Sequence, residues 1–126
     1  MRRNKRLHGR TNYTKMNLKD RIAYMTFHEI EQNVMSWAHA RGIYEHSTPE
    51  AQFLKMVSEV GEMADAIAKK DEEEILDAVG DIVVCLVNFC AFKEYALSHA
   101  FEVAYRQIKD RRGTMQPGGV FVKEGK

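Results

Sequence analysis

Apolar residues recur at three- and four-residue spacing over most of this chain, which is the period of an amphipathic helix. The pattern predicts four helices, at about residues 27–41, 49–69, 72–95 and 98–111. The third is apolar almost all round beyond Leu76, so we expect it to be the central helix. The sequence therefore predicts an all-α fold: an antiparallel four-helix bundle with a short extended arm at its C-terminus.

The predicted helix ends coincide with residues that commonly begin or end helices. Thr48 or Ser47 can cap the second helix, and Pro49 suits its first turn. Gly42 is a natural stop for the first helix. A short connection at residues 69–71 joins the second and third helices, and short connections favour antiparallel neighbours.

Composition indicates a soluble globular protein, because 44% of the 126 residues are hydrophobic and 29% are charged. The longest apolar candidate, residues 82–92, is shorter than a membrane span, and no apolar run follows the basic N-terminus as in a secretory signal. The spacing of Cys85 and Cys90 suits neither a disulfide nor a CxxC site. We expect a cytoplasmic protein with reduced core cysteines and no membrane partner.

Charge is distributed unevenly along the chain. Residues 1–15 carry six basic side chains and no acid, so the rest of the chain is acidic. We divide the chain into a basic tail, residues 1–17, and a helical domain, residues 18–126. The tail is either a solvated, flexible extension or a contact to nucleic acid or to the acidic body of a second subunit. Nucleic acid is the less favoured partner.

Two matched carboxylate motifs lie inside apolar helical stretches. One reads Ser-Glu-Val-Gly-Glu at residues 58–62, and the other reads Asp-Ala-Val-Gly-Asp at residues 77–81. Helical residues three or four apart project on the same side, so each motif presents its acids together. The 14 residues between the motifs allow one antiparallel helix pair to bring both to the same level. Gly61 and Gly80 are expected to let the two helices approach closely.

Converging carboxylates repel one another unless a cation lies between them. Oxygen ligands without histidine or thiolate favour Mg²⁺ or Mn²⁺ over zinc, and such ions commonly bind phosphates as well. A di-iron site would need Glu-x-x-His pairs, which neither motif has. Two alternatives stay open: a structural hydrogen-bonded acid, or a solvated acidic face, which explains the apolar surroundings of Asp81 poorly.

These residues resemble the MazG-like all-α nucleoside triphosphate pyrophosphohydrolases, whose motif is Glu-Glu-x-x-Glu on one helix and Glu-x-x-Asp on the next. The resemblance covers about residues 30–123, and residues 109–113 and 119–123 are similar to small phage-encoded members. Two positions depart from the motif. Ser58 replaces its first glutamate, and Ala78 replaces a metal-binding glutamate, with Asp77 as the nearest substitute and Glu74 as a weaker one.

The resemblance implies hydrolysis between the α and β phosphates of a nucleotide, giving a monophosphate and pyrophosphate. Mg²⁺, or Mn²⁺, would be held by Glu59, Glu62 and Asp81 with Asp77 assisting, and one carboxylate would act as general base. A homodimer or homotetramer is also implied. The two departures leave open a non-catalytic regulator of the same fold that binds a nucleotide or a protein.

Five further residues are candidates for substrate binding, and each has a structural alternative. Trp37 would stack on a base or pack in the core, and Asn88 would contact the substrate or satisfy a buried hydrogen bond. Lys55 would bind phosphate or form an ion pair with Glu59. Lys109 and Arg111 would bind phosphate or complement a helix end. The histidines lack the spacing of metal ligands.

Overall fold

Helices dominate the protein, and the predicted all-α class is confirmed. The computed structural model describes residues 25–125, so the predicted tail at residues 1–17 lies outside the described residues. Within this range there are five helices and two short strands. We number the elements α1 (Phe27–Ala40), α2 (Ile43–His46), α3 (Pro49–Lys69), α4 (Glu72–Phe92), α5 (Leu97–Ile108), β1 (Gly113–Gln116) and β2 (Val120–Lys123).

Three of the helices begin at a side chain that accepts a hydrogen bond from the first turn. Thr26 caps α1 in a reciprocal capping box with Glu29. Thr48 caps α3 by accepting from the Ala51 N–H at 3.0 Å. Asp71 caps α4 by accepting from the Glu74 N–H at 3.1 Å. The polar residues that the sequence places before these helices therefore fix where α1, α3 and α4 start.

The two carboxylate motifs lie on α3 and α4, which fold back on each other through a two-residue connection. Lys70 adopts left-handed backbone geometry with φ of 58°, and the Asp71 N–H returns to the Ala66 carbonyl at 3.0 Å. This is the usual way to end a helix in a sharp reversal. The reversal places the second half of α3 alongside the first half of α4.

Helix α4 is the central element, as its all-round apolar pattern predicted, because it packs against α1, α3 and α5. Its buried residues are Ala78, Cys85, Val87, Asn88 and Cys90. The whole of Glu72–Phe92 is long and apolar enough to cross a membrane by length and composition. The sequence analysis compared only residues 82–92 with a membrane span, but the helix begins ten residues earlier, at Glu72. It packs against three helices, and 28% of its most apolar window is buried in the single chain.

The structure differs in several places from the predicted four-helix bundle, including the last helix, which ends at Ile108 rather than residue 111. A short helix, α2, follows Gly42, whose φ of 78° turns the chain after α1. The third predicted helix ends at Phe92 rather than residue 95, because Glu94 is left-handed, with φ of 68°, and the Tyr95 N–H returns to Cys90. The C-terminal arm is a hairpin rather than a single extended segment. In it β1 and β2 pair antiparallel, with Gly113 opposite Lys123.

Candidate active site

Glu59 lies in the middle of α3 and is buried, with 6% of its surface exposed. Its Oε2 atom accepts from the Lys55 ammonium one turn earlier, at 3.4 Å. Its Oε1 atom is buried and has no hydrogen-bond partner among the described residues. A buried carboxylate oxygen without a partner is costly and rare, so this atom is a candidate for binding a cation or another ligand.

Asp81 lies on α4 within electrostatic reach of Glu59. Burial raises the pKa of Asp81, and the negative charges of Asp77 and Glu59 raise it further. Lys55 acts in the opposite direction and lowers it. The packing of α3 against α4 therefore places Glu59 and Lys55 within electrostatic reach of Asp81, beside Asp77 on the preceding turn of α4. Like charges within reach of one another favour a cation near them.

Glu62, the fourth predicted carboxylate, is exposed and makes no side-chain hydrogen bond within the described range. It is also not among the charges that shift the pKa of Asp81. No group of three or more His, Cys, Asp or Glu side chains in residues 25–125 is close enough to hold a metal ion as it stands. The donor chemistry nevertheless fits a hard divalent cation, since the acids that influence Asp81 offer carboxylate oxygens and one oxygen of Glu59 lacks a partner.

A groove of about 670 Å³ opens beside these acids, between α1 and α4. Asp77, Gly80 and Asp81 line one side, and apolar residues such as Ile30 and Val34 line the other. Apolar walls with a few carboxylates at one edge suit a small molecule that has an apolar and a charged part. The groove and the carboxylates can therefore form one site.

The two motif glycines do not have the packing role that the sequence suggested. A Cβ atom added at Gly61 or at Gly80 would meet nothing within 4 Å. The expectation that they let α3 and α4 approach closely is therefore wrong for the single chain. Gly80 instead lines the groove, where the missing side chain leaves space beside Asp81.

The structure separates most of the predicted substrate contacts from the carboxylates. Asn88 is buried and accepts a hydrogen bond from the Tyr44 hydroxyl at 2.6 Å. Trp37 is 46% exposed and does not line the groove. Lys109 pairs with Asp110 at 2.9 Å, and Arg111 lies beyond α5. Of these five candidates, Lys55 alone acts on the Asp81 carboxylate.

Glu31 is a buried residue of the groove that the sequence reasoning missed. Its carboxylate accepts from the Ser98 N–H at 2.7 Å, the Ser98 hydroxyl at 2.8 Å and His28 Nδ1 at 3.1 Å. Burial raises the pKa of Glu31, but the hydrogen bonds from Ser98 and His28 outweigh it and the net shift is downward. Two features of the sequence could have indicated this contact. Glu31 is an acid within the apolar stripe of α1, and Ala96, before α5, has no side chain that could cap that helix.

The protein is therefore a small all-α domain that carries carboxylates on two paired helices beside a groove. Residues 47–115 match the MazG nucleotide pyrophosphohydrolase domain, which is more than half of the chain. The chain belongs to this family, whose domain is soluble and all-α.

One relative comes from Haemophilus phage HP1 and is described as an uncharacterized 18.2 kDa protein in the rep-hol intergenic region. It is 37% identical over 59 residues, which are 47% of this chain and 36% of the phage protein. The chain therefore matches only about a third of the length of this relative. No solved structure matches the chain.

Proposed function

We propose that the chain is a divalent-metal-dependent nucleoside triphosphate pyrophosphohydrolase that cleaves the bond between the α and β phosphates. The products are a nucleoside monophosphate and pyrophosphate, and the role is control of the cytoplasmic nucleotide pool. Family membership supports the reaction class. The observation that carries the proposal is the unpartnered buried oxygen of Glu59 on the helix that faces Asp81 and Asp77.

Glu59, Asp77 and Asp81 would hold the metal, and Glu62 would join them from the next turn of α3. The preferred ion is Mg²⁺, with Mn²⁺ as a substitute, because every donor is a carboxylate. When bound, the ion supplies neutralisation of phosphate charge and a lowered pKa for a bound water. Asp77 takes the part of the motif glutamate that Ala78 replaces.

The chain's own residues would contribute proton transfer, charge and binding. One carboxylate of the site would orient the attacking water as general base. Lys55 would move between Glu59 and a substrate phosphate, since 65% of its side chain is exposed. The groove would hold the nucleoside, with Gly80 leaving room beside the carboxylates. These roles place the phosphates at the α3–α4 contact.

The test is incubation of the full chain with a panel of ribo-, deoxy- and modified nucleoside triphosphates in Mg²⁺, with products separated by ion-exchange chromatography. The proposal predicts equal amounts of monophosphate and pyrophosphate from at least one nucleotide, and none from a Glu59→Gln variant. Diphosphate and phosphate as products, or no turnover with any nucleotide, would refute it. Glu72→Gln is the matched control, because Glu72 is an exposed acid in the first turn of α4 and does not line the groove.

A homodimer or homotetramer is part of the proposal, because the single chain leaves wide apolar faces uncovered. Leu54 and Leu76 are each 66% exposed, and Phe101 is 64% exposed. Apolar surface of this extent marks an interaction face. A second copy would cover these faces and complete the four longer helices into a closed antiparallel bundle. Light scattering coupled to gel filtration should give a multiple of the 14.5 kDa chain mass, and a monomeric mass with full activity would exclude it.

A non-catalytic regulator of the same fold is the second candidate. Ala78 and Ser58 favour it, because two motif glutamates are missing and Ala78 is buried, at 4% exposure. This candidate predicts that nucleotide raises the melting temperature without turnover, and that Ala78→Glu leaves activity unchanged or creates it. Turnover by the unmodified chain would exclude it.

A further inference from the structure

The groove between α1 and α4 has apolar walls that the described residues leave uncovered. Phe27, Ile30 and Leu76 line it and are 44%, 46% and 66% exposed. Its lining residues also include four acids and, within residues 25–125, no lysine or arginine. Apolar surface beside acidic side chains suits a partner that is itself both apolar and basic.

Three of these acids form a stripe along α4 with a spacing of four residues. They are Glu73, Asp77 and Asp81, which therefore project on the same side of the helix. None of the three forms an ion pair in the described part of the chain, although Lys55 of α3 acts on Asp81. Like charges four residues apart destabilise a helix, so basic side chains along this stripe would relieve the repulsion. Glu31, the fourth acid, is already engaged by hydrogen bonds.

The chain enters α1 beside this groove. The Asn33 side-chain amide donates to the Met25 sulfur at 3.2 Å, although Asn33 lies two turns inside the helix. Met25 therefore lies against the flank of α1 rather than beyond its end. Ile30, one turn before Asn33, lines the groove, and so does Phe27, the first residue of α1. The segment that precedes Met25 is thus joined to the chain next to the groove.

This segment, residues 1–24, lies outside the described residues, and its composition matches the groove. It contains eight lysines and arginines but a single acid. Helix α1 has 14 residues and is about 21 Å long, a length that about 14 helical or six extended residues would span. Residues 11–24 are therefore enough to cover the groove. Their basic and apolar members include Lys15, Lys19, Arg21, Leu18 and Ile22.

We propose that residues 11–24 dock along this groove of their own chain. Leu18 and Ile22 meet its apolar walls. Lys15 and Lys19 meet the acidic stripe, and they are four residues apart, as its neighbouring acids are. A segment of the same chain is favoured over a second copy, because its covalent connection at the groove gives it a high effective concentration. One consequence rests on the proposed function: the docked segment would exclude a nucleoside from the groove and so restrain hydrolysis.

The experiment is photo-crosslinking of the full chain with p-benzoylphenylalanine in place of Leu18, in EDTA and without nucleotide. Irradiation links this side chain covalently to neighbouring groups, and mass spectrometry then identifies the linked residues. The proposal expects links within one chain, to residues 27–34 of α1 or 76–87 of α4. On a denaturing gel such a product keeps the mass of one chain.

Charge should supply a measurable share of the docking. The Lys15→Gln/Lys19→Gln/Arg21→Gln variant should lower the yield of links to the groove roughly fivefold, since up to three exposed ion pairs are lost. High salt should lower the yield in the chain that keeps these residues, because it screens exposed charges.

The matched control is Arg2→Gln/Arg3→Gln/Arg6→Gln, which removes the same charge from the start of the segment and should leave the yield unchanged. Three results would overturn the proposal: links only outside the groove or none at all, a product with the mass of two chains, or equal yields in the two triple variants. All substituted positions precede the helices that form the groove, and circular dichroism checks that the fold is retained. The assay contains neither metal nor nucleotide, so failure of nucleotide hydrolysis would leave these outcomes unchanged.

Discussion

Replacing Glu31 should destabilise the protein more than any exposed substitution on the same helix. The N-cap position of α5 is Ala96, which offers no side-chain hydrogen bond, and Glu31 of α1 reaches across to cap Ser98 instead. Two short hydrogen bonds to a charged group are each worth roughly 1.5–3 kcal/mol. The contact with His28 adds little because 60% of that side chain is exposed.

The variant no longer pays the desolvation cost of a buried carboxylate, which offsets part of the lost hydrogen-bond energy. We therefore expect Glu31→Ala to lower the free energy of unfolding by about 3 kcal/mol. For a domain of this size that corresponds to a fall in melting temperature of roughly 12 °C. Glu31→Gln keeps one acceptor and should cost less. The assay is thermal and urea denaturation at one protein concentration, with Gln32→Ala as the exposed control on α1.

The pH dependence of this effect has a definite sign. The pKa of Glu31 is lowered on folding, so its contribution is fully present above the pKa of an unfolded glutamate, about 4.3. It is lost as pH falls through the lower pKa of the folded state. The stability difference between the unmodified chain and Glu31→Gln should therefore be largest at neutral pH and shrink in acid. If Glu31→Ala were as stable as Gln32→Ala at pH 7, the reasoning would be refuted.

Three further predictions follow from single residues. Gly113→Ala should open the hairpin, because a Cβ atom there would overlap the Val122 carbonyl oxygen. Hydrogen exchange of the β2 amides should therefore be faster in this variant, and unchanged exchange rates would contradict the prediction. Gly61→Ala and Gly80→Ala should each leave the free energy of unfolding unchanged or raise it by up to ~1 kcal/mol, because an added Cβ meets nothing within 4 Å. Only Gly80→Ala should weaken nucleotide binding, measured by calorimetry, because Gly80 lines the groove. Equal nucleotide binding by both variants would show that Gly80 is not part of the site. Asp81→Asn should raise the melting temperature of the metal-free chain at neutral pH, because a raised pKa in the folded state means that ionised Asp81 is destabilising. In acid, where Asp81 is protonated, the melting temperatures of the two proteins should converge. A lower melting temperature for Asp81→Asn at pH 7 would contradict this.

The helical class and the pairing of the two motifs could be predicted because both depend on local pattern. Apolar periodicity and the capping residues Thr48 and Asp71 specify α3 and α4, and a short connection requires them to fold back on each other. The approach of Glu59 to Asp81 then follows from helix geometry. The family assignment rests on the same residues, so sequence and structure agree where the signal is local.

The remaining features depend on contacts between distant segments, which spacing does not encode. Glu31 meets Ser98 across 67 residues, and Asn88 meets Tyr44 across 44 residues. The hairpin requires a residue without a side chain at Gly113, because a Cβ atom there would overlap β2. The sequence alone does not distinguish this glycine from the others. The role suggested for Gly61 and Gly80 was wrong because a glycine pattern cannot show whether the neighbouring space is filled.

The central claim is that carboxylates of α3 and α4 form one divalent-metal site, and Mn²⁺ titration followed by electron paramagnetic resonance tests it most directly. We predict that the unmodified chain binds Mn²⁺, that Glu59→Gln binds it more than about tenfold more weakly, and that Glu72→Gln binds it unchanged. Equal Mn²⁺ affinity in the unmodified chain and Glu59→Gln would contradict the account.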